Sequence, residues 1–146
     1  MATNIFVNYP SDDLERSKVF YTALGATLNP NFTDDNAACF VWDTNIYTMV
    51  LKREFFATFT TKQIIDPKTA AQMQISFSRD SREEVDAVIE AGLAAGGTEA
   101  GSPQDYGFMY ARDLEDPDGN VVSFLWMAPE AVEKGPEAFM AEQAQV

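Results

Sequence analysis

Few side chains in this sequence stand in arrangements that do chemistry. There is no histidine and one cysteine, which excludes Ser–His and Cys–His nucleophile pairs. Adjacent carboxylates occur at Asp12-Asp13, Asp34-Asp35, Glu83-Glu84 and Glu115-Asp116. Each pair stands at a helix start or a turn, where capping and solvation account for it. Cys39 lies in the apolar run Ala37-Ala38-Cys39-Phe40-Val41-Trp42 and is expected to be a buried, inert thiol. Ala95-Gly96-Gly97 follows a helix instead of preceding one, so it is no phosphate loop. What remains is a set of strand residues: Phe6, Asn8, Tyr47, Met49, Gln74, Ser76 and Ser123, with Arg112 as a candidate cation. Such a set suits binding of a partly apolar organic molecule with a polar or anionic end.

These residues are placed by a repeated order of elements. Asn4 to Tyr9 reads as a strand. Asp12 or Asp13 caps a helix with Ser17, Phe20, Tyr21 and Leu24 on one face, and Gly25 stops it. Strands follow over Ala26 to Thr33, Ala37 to Asp43 and Ile46 to Lys52. Glu54 to Thr60 carries Phe55, Phe56 and Phe59 as a short helix or flap, and Asp66-Pro67 marks a connecting segment. The pattern restarts with Met73, Ile75 and Phe77 alternating with polar residues. Ser81 and Glu84 form a capping box, and Val85, Val88, Ile89 and Leu93 line the next helix. Strands near Thr98 to Gly101, Gly107 to Leu114 and Val121 to Met127 complete the second half.

The expected fold class is α+β: two βαβββ repeats whose sheets, each covered by a helix on one face, curve into a mixed-sheet cup. Alternation puts Ile5, Val7, Met73, Ile75, Phe77, Val122, Phe124 and Trp126 under the helices. It puts Phe6, Asn8, Tyr47, Met49, Leu51, Gln74, Ser76 and Ser123 toward the cup. Arg112, and with it Tyr110, joins the cup if the last hairpin pairs Arg112 with Ser123. A competing reading fills the cup with Phe6, Met49 and Leu51 as core and pairs Arg112 with a surface acid.

Two motifs carry a resemblance. Asp13-Leu14-Glu15-Arg16-Ser17, Phe20-Tyr21 and Leu24-Gly25 resemble the first helix of the vicinal oxygen chelate superfamily, and Asp116-Pro117-Asp118-Gly119-Asn120 resembles its last hairpin. That superfamily includes glyoxalase I, extradiol dioxygenases and bleomycin- and fosfomycin-resistance proteins. The resemblance spans about residues 4–128. In metal-using members it implies four ligand positions, which fall here on Phe6, Met49, Gln74 and Ser123. A phenyl ring, a thioether, an amide and a hydroxyl cannot offset the dehydration of a divalent cation. The expectation is therefore a cup with no metal and no cofactor, binding a small molecule, possible sequestration being the manner of the bleomycin-resistance branch. Two rival readings are a metal-dependent lyase or dioxygenase with unusual ligands and a protein–protein module with a filled cup.

The whole of 1–146 reads as a single domain: modules at 4–60 and 72–128, a linker at 61–71 and an acidic tail at 129–146. A net charge of −13 argues against nucleic acid and anionic membranes and permits cationic partners. No stretch approaches the roughly 20 apolar residues of a membrane span, so a cytoplasmic location is expected. Exposed sheet edges and the cup fold lead to the expectation of a homodimer.

Overall fold

The structure is a computed structural model that describes residues 2–144; the end of the acidic tail, 145–146, lies outside the described residues. The first half runs β1 (Ile5–Ser11), α1 (Leu14–Ala23), β2 (Thr27–Leu28), β3 (Ala37–Asp43) and β4 (Ile46–Lys52). Its sheet has the order β1-β4-β3-β2, with β1 parallel to β4 and the other pairs antiparallel. A short helix α2 (Arg53–Phe56) and a 3-10 turn at Ala57–Phe59 follow. The second half runs β5 (Ile75–Ser78), α3 (Arg82–Ala94), β6 (Thr98–Glu99), β7 (Gln104–Asp105), β8 (Met109–Glu115) and β9 (Val121–Met127). Its order is β5-β9-β8-β6, with β7 also on β8 and β5 parallel to β9. Helices α4 (Pro129–Lys134) and α5 (Pro136–Gln143) close the described chain. This is the expected α+β architecture of two mixed, open sheets.

Local chemistry sets the element ends. The Asp13 carboxylate accepts from Arg16 N at 3.1 Å and caps α1. Ser81 Oγ accepts from Glu84 N at 3.1 Å, while the Glu84 carboxylate accepts from Asp80 N at 2.8 Å, one residue before the usual capping-box donor. The strand expected over Ala26 to Thr33 is shorter than its pattern. Asn29 caps a 3-10 turn at Pro30–Phe32, and Pro30 has no N–H for a ladder.

One core joins the halves. Helix α1 buries Leu14, Ser17, Phe20 and Tyr21, and α3 buries Val85, Val88, Ile89 and Gly92. Trp42 of β3 stacks on Phe77 of β5 with ring centroids 4.1 Å apart, a contact worth about 1 kcal/mol beyond its buried area. The hairpin after β8 is bound to α1. Asp116 Oδ1 accepts backbone N–H groups from Asp118, Gly119 and Asn120 at 2.8–2.9 Å. Asp118 Oδ1 accepts from Asp12 N and from Arg16 Nη2, both at 3.0 Å. Gly119 has φ +106°, and a Cβ there would lie 2.8 Å from Lys68 N, so the connecting segment packs directly on the turn.

Candidate functional site

The parallel register of β1 and β4 sets Phe6 opposite Tyr47, Asn8 opposite Met49 and Pro10 opposite Leu51. Antiparallel pairing then sets Cys39 opposite Met49 and Ala37 opposite Leu51. These side chains share the sheet face away from α1. Over the far end of that face folds the segment after β4. Phe55 meets Phe59 edge-on at 5.1 Å, and Thr58 Oγ1 closes the turn on Phe55 O at 2.7 Å. Between sheet and segment lies a cavity of about 540 Å³, lined by Asn8, Ala37, Met49, Leu51, Phe55, Phe56 and Phe59. Among the described residues, Asn8 is its one side chain with strong hydrogen-bonding capacity, and no ionisable group lines it. The aromatic segment is thus a wall of this cavity.

The other expected site residues are distributed around this cavity without joining it. Phe6 and Tyr47 stack on each other, 4.6 Å between centroids and 9° between planes, further back on the same face. Gln74 lines a narrow cleft between β1 and the second half, about 40 Å³, which also touches Asn8. Ser76 sits opposite Ser123 on β5 and β9. The structure therefore brings Asn8 and Met49 into one cavity, leaves Ser76 and Ser123 on the second sheet and puts Gln74 just before it.

Arg112 corrects the expected hairpin register. It pairs with Phe124, and Asp113 is the residue opposite Ser123. Arg112 consequently lies on the helix side, where it binds Glu99 at 2.8 and 2.9 Å, Asp86 at 2.9 Å and Glu90 at 3.2 Å. The Glu99 carboxylate first, then those of Asp86 and Glu90, hold the guanidinium pKa above its ordinary value. Tyr110 follows it: its hydroxyl donates to Asp86 at 2.6 Å, which raises the phenol and lowers the acid. The cup thus has no Arg112 guanidinium for an anionic ligand end.

Asp113 is the residue that sequence reasoning missed. It shares a face with Ser123, whose hydroxyl donates to its carboxylate. The signal was present in the loop length. With five residues, Asp116 to Asn120, in the loop, Glu115 must face Val121 and Asp113 must face Ser123. Cys39 is buried as expected, and burial pushes its thiol pKa up, away from the reactive thiolate.

Residues 3–42 match the family described as bleomycin resistance protein-like N-terminal. Solved structures share the fold over most of both chains. A glyoxalase/bleomycin resistance protein/dioxygenase family enzyme from Burkholderia phytofirmans superposes with a TM-score of 0.71 at 20% identity, covering 86% of this chain and 99% of that one. The chain has the fold of glyoxalase/bleomycin resistance/dioxygenase proteins, and its residues 3–42 are similar to the N-terminal part of bleomycin resistance proteins. A glyoxalase/bleomycin resistance protein from Albidiferax ferrireducens is 26% identical with a TM-score of 0.64, over 83% of this chain and 95% of that one. The bleomycin resistance determinant encoded on transposon Tn5 gives 0.60 at 17% identity, over 86% and 98%. No curated protein matches the sequence.

The resemblance implies a metal, and the residues at its four positions do not fit one. Phe6 is stacked on Tyr47, Met49 faces an apolar cavity, Gln74 is exposed, and Ser123 is bonded to Asp113. Asp113 adds a single carboxylate near one of the four. Among the described residues, no group of three or more His, Cys, Asp or Glu could hold a metal ion. Hard or borderline divalent ions need more anionic or imidazole donors than this set contains.

Proposed function

We propose that this protein binds a small, partly apolar organic molecule in the cavity between the first sheet and the Phe55–Phe59 segment, without a divalent metal at the superfamily position. The observation that carries this reading is the cavity itself: about 540 Å³, with thioether, aliphatic and phenyl walls and one amide at Asn8. That volume and lining match sites that take drug-sized ligands, where a few polar groups fix orientation. General acid–base catalysis needs a titratable side chain within reach of the ligand, and none lines this cavity. Binding and sequestration therefore fit it better than turnover, a role in keeping with the printed name of the structural relative from Tn5.

The test is titration with N-phenyl-1-naphthylamine, an uncharged aromatic probe that fluoresces in apolar surroundings. Saturable binding at one site per chain is expected. Met49→Trp, which projects an indole from the sheet into the cavity, should weaken it at least about tenfold. Binding that Met49→Trp leaves unchanged would place the probe elsewhere and overturn the assignment.

A homodimer belongs to the same proposal. Ile5, Phe6, Ile46 and Met73 are exposed where the two halves begin, and burial of such a patch favours association. Light scattering of the purified protein checks it. Among the described residues no helix is long and apolar enough to cross a membrane, and a cytoplasmic location is proposed with it.

A further inference from the structure

A second cavity, about 460 Å³, lies next to the first, and Phe56 borders both. Its walls differ from those of its neighbour. Pro10 and Asn120 contribute from the two halves, and the connecting segment adds Thr60, Lys62, Gln63 and Gln72. These bring an ammonium, a hydroxyl and amides beside the aromatic wall.

The distribution of cations gives this cavity a sign. The chain has ten Lys and Arg against 23 Asp and Glu. Arg16, Lys18, Arg82, Arg112 and Lys134 are ion-paired with carboxylates. Among the described residues, Lys52, Arg53, Lys62 and Lys68 have no carboxylate at ion-pair distance, and all four fall within residues 52–68, where Lys62 is the one that lines a cavity. Arg53 is used structurally: its guanidinium donates to Ile64 O and Ile65 O, both at 3.0 Å. It thereby ties the start of α2 to the wall of the second cavity. The remaining cation, Arg79, rests on the Phe124 ring. Lys62 lines the cavity, and residues 52–72 carry Lys52, Arg53, Lys62 and Lys68 against Glu54 and Asp66, a locally positive stretch in so acidic a chain.

We infer that the second cavity receives the anionic end of an amphipathic organic ligand whose apolar body lies in the first, with Lys62 as the anion contact. This rests on the small-molecule reading above and names the ligand class: an organic anion such as a carboxylate or sulfonate carried on an aromatic or aliphatic body. It restores the anionic end that Arg112 does not serve, through a residue of the connecting segment.

The experiment compares two probes with one apolar body. N-phenyl-1-naphthylamine is uncharged; 8-anilino-1-naphthalenesulfonate adds a sulfonate. Lys62→Glu should weaken the sulfonate probe about tenfold or more, the scale of one hydrogen bond to a charged group. It should change the uncharged probe less than about twofold, within ordinary surface effects. Lys62→Gln should fall between. Lys18→Glu, with the same change in net charge away from both cavities, should leave the sulfonate probe within about twofold. Equal losses for Lys62→Glu and Lys18→Glu would reduce the effect to general charge and overturn the inference. So would equal losses for both probes, or binding of the uncharged probe alone. If neither probe binds, the small-molecule reading fails and this inference fails with it.

Discussion

The Tyr21 hydroxyl donates to Asp116 Oδ2 at 2.6 Å, joining α1 to a hairpin 95 residues further along the chain. Both groups are buried, and Asp116 is also the hub of the turn's own hydrogen bonds. Asp116→Ala would leave three backbone N–H groups and a buried phenol without their acceptor. It should cost about 3 kcal/mol or more. Tyr21→Phe removes one donor while Asn120 Nδ2 still reaches Asp116 Oδ2 at 3.1 Å, and should cost about 1 kcal/mol. Urea unfolding measures both. A loss below about 1 kcal/mol for Asp116→Ala would deny the hub its structural role.

Tyr9 and Tyr21 make the fold sensitive to alkali. Burial, first among the causes, raises both phenol pKa values above their ordinary value. A phenol that stays protonated in the folded state contributes its full stability below the unfolded pKa of about 10. That stability is lost as pH rises beyond it, because the unfolded chain releases protons that the folded chain retains. Stability should fall by about 1.4 kcal/mol per pH unit for each tyrosine above pH 10. Urea titrations at successive pH values check this, and Tyr9→Phe should flatten the slope. Phenolate absorbance rising well before unfolding would contradict it.

Arg112 separates stability from binding. Arg112→Ala removes the shared partner of Asp86, Glu90 and Glu99. Those acids are partly exposed, so solvent screens the loss, which should be about 1–2 kcal/mol. Binding of N-phenyl-1-naphthylamine to the folded variant should stay unchanged. A selective loss of binding would put Arg112 back at the cavity.

Gly119 tests how the connecting segment sits on the hairpin. Its φ of +106° strains any side chain, and a Cβ would approach Lys68 N to 2.8 Å and Pro67 C to 3.0 Å. Gly119→Ala should destabilise by about 1–2 kcal/mol. It should also weaken 8-anilino-1-naphthalenesulfonate, because Pro67 lines the second cavity. Thermal melts and the probe titration read the two effects.

The fold was legible because its two signatures bind each other. Arg16, Ser17 and Tyr21 in α1, and Asp116 and Asp118 in the hairpin, are among the residues that carry the resemblance, and they form one hydrogen-bonded junction. The cup face of the first half was legible from alternation, since β1 and β4 pair in register without a bulge. The second half failed at Arg112, where a one-residue slip sends a side chain to the opposite face. Counting outward from the five-residue loop settles that register. The cavity was not legible, because it depends on how the segment after β4 folds back. Arg53 holding Ile64 O and Ile65 O leaves no periodic signal in the sequence.

The central claim is ligand binding without a divalent metal at Phe6, Met49, Gln74 and Ser123. The measurement that tests it most directly is titration with N-phenyl-1-naphthylamine before and after exhaustive chelation, with the metal content of each sample determined. The account predicts saturable binding at one site per chain, the same affinity in both samples and no stoichiometric divalent ion in either. A stoichiometric ion whose removal abolishes binding, and whose return restores it, would contradict the account.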